Sequence, residues 1–168
     1  MAEVKRLIPG MAIGVVVATL VAGSLDEDHV RLLLGVISLL FVAYMIVKPA
    51  ASRPIASFWA WPAGIATGIT SFIAHAGAPP MNLYLVPRRL PKTTFIATTT
   101  LVFAAVNTMK LPPYLWLGEI NLTSIWASLA LVPVAWFGIR SGLWLQHRVN
   151  ERLFYRLVIL AMAVVGVQ

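Results

Sequence analysis

The apolar residues of this chain are gathered into long runs, and the acidic residues are kept out of them. None of the six Asp and Glu residues lies inside a run. The hydrocarbon core of a bilayer excludes charge, so this pattern predicts several membrane-spanning helices joined by short loops rather than a water-soluble domain. The runs cover residues 7–25, 32–47, 57–86, 93–109, 122–139 and 153–167.

Composition and charge agree with this class. Apolar residues make up 60% of the chain and charged residues 11%, whereas a soluble domain has about a quarter charged residues. The net charge of +7 does not indicate nucleic-acid binding, because the basic residues follow apolar runs as the positive-inside rule requires. We therefore expect the lipid bilayer as a partner and no nucleic acid. These basic residues are Lys48, Arg53, Arg88, Arg89, Lys92, Arg140, Arg148 and Arg152.

Several kinds of chemistry are not expected. The chain has no Cys, which excludes disulfides, thiolate metal sites and cysteine nucleophiles. Its histidines, His29, His75 and His147, lie in three regions without the spacing of metal ligands. No acid lies in a predicted span, and no nucleophile elbow surrounds Ser71, which precedes His75 by four residues. The sequence therefore predicts neither an enzyme nor a bound metal or cofactor.

The run at residues 57–86 is anomalous, since its 30 residues are too many for one simple span and too few for two. Lys5 and Arg6 place the amino terminus in the cytoplasm. A single crossing would then put the basic loop at 88–92 outside, against the rule, whereas a return to the same side keeps every basic loop inside. The predicted fold is an all-α, polytopic bundle whose broken helix at 57–86 is either re-entrant or, alternatively, one tilted span.

The middle of this run, residues 75–80, reads His-Ala-Gly-Ala-Pro-Pro. Proline removes an N–H, glycine weakens a helix, and lipid offers no partner to the freed peptide groups. Such breaks line cavities and mark substrate sites in transporters, and a helix that starts after one presents N–H groups to an anion; a plain kink is the alternative. The predicted substrate-binding residues are Thr67, Ser71, His75, Gly77, Pro79, Pro80, Asn82, Tyr84 and Asn107.

Some of these residues have a second interpretation. His75 is the one side chain in the runs that could change charge near neutral pH, so it either couples or gates transport or is a neutral histidine bonded to backbone. Asn107 either binds substrate or makes an interhelical hydrogen bond. We expect Lys110, at the end of an apolar run, to snorkel to the interface rather than touch substrate. Glycines four apart, such as Gly10 and Gly14, predict close helix packing.

Residues 64–85, GIATGITSFIAHAGAPPMNLYL, resemble the second-repeat signature of the sulfite exporter TauE/SafE family. The resemblance continues through Leu90-Pro91-Lys92, Asn107 and Lys110-Leu111-Pro112. Members are membrane permeases of bacteria, archaea and plants, with two related halves, that move sulfite, sulfoacetate and related organosulfur anions. The resemblance implies that residues 1–168 form a single transmembrane domain of a secondary transporter for a small anionic substrate, placed in the cell membrane as a multi-pass protein of the bacterial inner membrane.

The chain also departs from the family pattern. It starts at what resembles the third span, without the glycine-rich first-repeat motif, and His75-Ala76 stand where the family usually has a glycine. We therefore expect the C-terminal part of a two-repeat permease, whose site is completed by a homo-oligomer or by a missing N-terminal half. The alternative is a truncated or non-transporting membrane subunit.

Overall fold

A computed structural model of the chain describes residues 2–21, 56–118 and 120–167, together with isolated positions between 22 and 55. Within these residues the chain is helical, and no strand is present. The helices are α1 (Ala2–Val21), α2 (Ala60–Ala74), α3 (Ala78–Leu85), α4 (Lys92–Trp116), α5 (Leu122–Arg148) and α6 (Glu151–Val167). The all-α fold predicted from the sequence is confirmed, while the predicted run at 32–47 falls largely outside the described residues.

The helices α4, α5 and α6 are longer than the apolar runs that predicted them, because local chemistry rather than hydropathy sets their ends. α4 passes through Pro112 and Pro113, and Leu117 donates its N–H to the carbonyl of Pro113 at 2.9 Å. α6 begins where the side chain of Asn150 accepts the N–H of Leu153 at 2.8 Å, a typical N-cap. Three of the helices, Ala2–Val21, Lys92–Trp116 and the Ile125–Arg148 part of α5, are long and apolar enough to cross a membrane.

α1 and α2 pack in parallel with their backbones in contact. A Cβ atom at Gly10 would lie 2.5 Å from the carbonyl of Trp61, and one at Gly64 would lie 2.6 Å from the carbonyl of Leu7. Only glycine permits this approach, so the predicted role of the Gly10 and Gly14 pair is confirmed. In contrast, a Cβ at Gly138 or Gly142 of α5 would meet nothing within 4 Å.

α2 and α3 form a helical hairpin. At its closed tip, Gly77 lies against Ser71 and Thr67, which precede the last residue of α2 by three and seven positions. At its open end, Arg88 donates to the hydroxyl of Ser57 at 3.1 Å, so the two ends of region 57–88 meet. The predicted break and the return of the chain to its starting side are therefore present in the structure.

Hydrogen bonds at the two ends of α4 show in which direction this helix runs relative to the hairpin. Lys92 donates its ammonium group to the carbonyls of Gln146 and Val149, both at 2.5 Å, at the same end as the junction between α5 and α6. At the other end of α4, the hydroxyl of Tyr114 donates to the carbonyl of Phe72 at 2.6 Å. α4 therefore runs from the open end of the hairpin to its tip, which brings Lys110 and Tyr114 to the break.

Candidate functional site

The break between α2 and α3 is a short turn with one residue in a left-handed conformation. His75 ends α2 at φ 52°, and the N–H groups of His75 and Ala76 both bond to the carbonyl of Thr70. Gly77 then precedes the first turn of α3, in which Pro79 and Pro80 lie. Prolines suit this turn because its N–H groups have no partner within the helix.

The two prolines also limit what α3 offers to a ligand. Neither has an N–H, and the N–H of Met81 lies 3.5 Å from the carbonyl of Gly77. Only the amides of Gly77 and Ala78 remain at this end, so the half-helix is a weaker oxyanion site than the sequence suggested. A ligand at the break needs donors from other elements.

Polar side chains of α2 face the break. Ser71 and Thr67 are buried, and a Cβ on Gly77 would lie 3.0 Å from the Cβ of Ser71 and 3.1 Å from the carbonyl of Thr67. The hydroxyl of Thr67 already donates to the carbonyl of Ala63 at 2.7 Å, so it can offer only lone pairs to another group. Gly77, Pro79 and Pro80 are themselves buried, which places the interruption inside the protein.

Lys110 brings a charged group to the break. It is 4% exposed, and its ammonium donates to the carbonyl of Ser71 at 2.9 Å and to the Ser71 hydroxyl at 3.1 Å. The expectation that Lys110 snorkels to the interface is therefore wrong: tertiary packing turns its side chain inward, onto the end of α2. We call Ser71, His75, Gly77 and Lys110 the break cluster.

The sequence did carry a signal for the burial of Lys110. The buried residues of α4 are Phe95, Thr98, Val102, Val106 and Lys110, which recur every three or four positions. Lys110 thus continues the inward stripe of an amphipathic helix. Tyr114 follows one turn later, with its ring centre 5.9 Å from the Lys110 ammonium.

The other predicted residues are not all brought to the break. Asn82 is buried on α3. Tyr84 is also buried, but its hydroxyl donates to the carboxylate of Glu3 at 2.5 Å, at the open end of the hairpin. Asn107 is exposed, because it follows Val106 and so lies off the inward stripe of α4. His75 is exposed at the rim of the break, 6.2 Å from the Tyr114 ring.

A second polar cluster, which the sequence did not indicate, closes the open end of the hairpin. The Glu3 carboxylate accepts from Tyr84 and, at 2.9 Å, from Arg88. Arg88 also bonds Ser57 and stacks 4.5 Å above the Tyr84 ring. We call Glu3, Ser57, Tyr84 and Arg88 the clamp. Glu3 and Arg88 lie 85 residues apart, so no local sequence pattern indicates their ion pair.

An apolar groove is lined by residues of α1 and α4 and by none of the break cluster. Its volume is about 370 Å³, and it runs between the C-terminal parts of α1 and α4. Among the described residues that line it, Thr19 supplies the one hydroxyl, and the others include Val15, Met109 and Trp116. An anion would lose its hydration there without gaining a charged partner, so the groove does not suit one. In the described part of the chain, no group of three or more His, Cys, Asp or Glu residues could hold a metal ion.

Comparison with known proteins decides the family. The family model described as sulfite exporter TauE/SafE matches residues 1–168. The chain belongs to the sulfite exporter TauE/SafE family. Searches of curated proteins and of solved structures return no match. Membership in this family of transporters, together with the apolar helices, makes the chain a multi-pass membrane protein of anion-transporter type.

Proposed function

We propose that this TauE/SafE chain is a secondary transporter of sulfite, sulfoacetate or related organosulfur anions, and that it binds them at the broken helix. The observation that carries the proposal is the hairpin, which folds the start of α3 back against Ser71 and Thr67 inside the protein. Lipid could not satisfy the peptide groups freed by the break. A buried break lined by hydroxyl groups is typical of a substrate site in transporters.

The site residues are proposed with the roles that their positions allow. Gly77, Pro79 and Pro80 shape the break, Ser71 and Thr67 line it, and Asn82 adds an amide one turn into α3. His75 lies at the rim. Tyr84 and Asn107 would reach the same ligand only after a rearrangement, because Tyr84 is bonded to Glu3 and Asn107 is exposed.

We place the protein in the inner membrane of a bacterium and expect no enzymatic activity, since the family is one of transporters. A second function, that of a non-transporting subunit, is favoured by one observation: no residue in the Ile125–Arg148 window of α5 is buried. Such a helix would pack against a second copy of the chain or against another transporter half, either of which would complete the site.

Flux of labelled sulfite and labelled sulfoacetate into proteoliposomes tests the proposal. Asn82→Ala should lower sulfite flux by about tenfold or more, the effect of losing one good substrate contact. Pro80→Ala, which alters the shape of the break, should lower the flux as well. Gly138→Ala is the control, because a Cβ there meets no neighbour, and it should transport normally. Absence of flux of either anion in folded wild-type protein would contradict the transporter and favour the subunit.

The hairpin can be tested in a membrane because the chain has no native Cys. A single cysteine at Ala56 and another at Arg89 should react with an impermeant thiol reagent from the same side. A cysteine at Leu117, beyond the far end of α4, should react from the opposite side. Labelling of Ala56 and Arg89 from opposite sides would show that region 57–86 crosses the bilayer once.

A further inference from the structure

The ammonium group of Lys110 is buried, and no carboxylate among the described residues pairs with it. Its hydrogen bonds go to one carbonyl and one hydroxyl, both of Ser71. Among the residues that the structure describes, the ion pairs join Glu3 to Arg6 and Arg88, and none involves Lys110. A charged side chain at membrane depth is costly and is retained where it contacts another charge or a substrate.

The neighbouring helix ends do not neutralise this charge. The C-terminus of α2 carries roughly half a negative charge and the N-terminus of α3 roughly half a positive one. Gly77 brings both ends together beside Ser71, so their two dipoles largely cancel. Among the described residues at the break, the ammonium group of Lys110 then supplies the net positive charge.

We infer that Lys110 is the residue that binds the negative charge of the transported anion and makes the site selective for anions. The inference rests on the proposed transport function and adds to it the charge-bearing contact. The anion would sit against the Lys110 ammonium and the Ser71 hydroxyl, beside the amides of Gly77 and Ala78. Because one ammonium supplies one positive charge, the site suits a monoanionic headgroup such as a sulfonate or hydrogen sulfite.

A purely structural role for Lys110 makes a different prediction. Lysine often bonds the last carbonyls of a helix, and Lys110 does so at Ser71. Tyr114 caps the adjacent carbonyl, that of Phe72, with a neutral hydroxyl. If capping were the whole role of Lys110, its neutral replacement would behave as Tyr114→Phe does.

The experiment measures sulfite flux and its KM in proteoliposomes for wild type, Lys110→Gln, Lys110→Arg and Tyr114→Phe. Glutamine keeps an N–H donor for Ser71 but has no charge, and we expect the KM to rise by about tenfold to a hundredfold, the range for a lost charged hydrogen bond. Lys110→Arg keeps the charge and should lie nearer wild type. Tyr114→Phe should change the KM by about threefold or less, as for a neutral bond.

Competition by methanesulfonate, a monoanion, and by uncharged dimethyl sulfone supplies a second readout. Sulfite flux through the wild type should be inhibited by methanesulfonate and not by dimethyl sulfone. Lys110→Gln should no longer distinguish the two competitors. If Lys110→Gln does not fold, Lys110→Met is a second neutral replacement suited to apolar surroundings. A neutral variant with the KM and anion preference of Tyr114→Phe would overturn the inference while leaving the transporter intact. Absence of wild-type flux overturns both.

Discussion

Across the residues that the structure describes, the two ends of the α2–α3 hairpin differ in whether their charged side chains have a partner of opposite charge. At the clamp, the Glu3 and Arg88 side chains are 12% and 13% exposed and are joined by a 2.9 Å ion pair. In the break cluster, the Lys110 ammonium contacts a carbonyl and a hydroxyl of Ser71. The clamp is complete by itself, so it serves to hold the hairpin shut. In the break cluster, no acid among the described residues pairs with the ammonium, so in the proposed site a ligand supplies the negative charge.

The comparison predicts that removal of a clamp charge has the largest effect on stability. Arg88→Met would leave the part-buried Glu3 with only Arg6 and Tyr84 as partners. We expect a loss of about 3 kcal/mol in the free energy of unfolding, the low end of the range for breaking a buried ion pair. Arg89→Met is the matched control, since Arg89 is the next residue and is exposed. Denaturant titration of purified protein measures both. Equal losses for the two variants would mean that the clamp contributes no specific stability.

A methyl group at the tip of the hairpin should have the next largest effect. Gly77→Ala would place a Cβ 3.0 Å from the Ser71 Cβ and force the two helices apart, at a cost of about 1–3 kcal/mol. Gly142→Ala, where a Cβ meets nothing, should be neutral or stabilising by up to about 1 kcal/mol. The same titration checks both values. A stable Gly77→Ala with normal sulfite flux would show that tight contact at the tip is not required.

Replacing a tyrosine by phenylalanine at each end of the hairpin compares the stability contributed by a hydrogen bond to a charged group with that of a bond to a neutral group. Tyr84→Phe removes a bond to the Glu3 carboxylate and should destabilise by about 2 kcal/mol, as for bonds to charged groups. Tyr114→Phe removes a bond to the Phe72 carbonyl and should cost about 1 kcal/mol. Thermal unfolding of both variants in the same detergent shows which substitution costs more stability. The reverse order would contradict the proposed difference between the ends.

The smallest expected effect comes from relief of backbone strain. Each end of the hairpin has one non-glycine residue at positive φ. These are His75 at 52° and Arg89 at 48°. Replacement by glycine should stabilise each site by up to about 1 kcal/mol, since glycine adopts this conformation without steric cost. The gain at His75 should be smaller, because its ring contact with Tyr114 is lost. A larger gain at His75 than at Arg89 would mean that this contact has no value.

Much of the fold followed from local properties of the sequence. Apolar runs predicted the helices because burial in lipid depends on composition, and the Gly-Ala-Pro-Pro segment predicted the break because glycine and proline weaken any helix. Basic residues on both sides of region 57–86 indicated that its ends lie together, as the bond between Ser57 and Arg88 shows. The glycines of α1 and α2 predicted their close packing.

The tertiary structure alone decided which side chains meet. Lys110 bonds Ser71, 39 residues earlier, and Tyr84 bonds Glu3, 81 residues earlier. Such pairs depend on how each helix is rotated and on which helix lies beside it, and local propensity carries neither quantity. For this reason a lysine that the sequence placed at the membrane interface lies inside the protein, next to the break that the sequence had located.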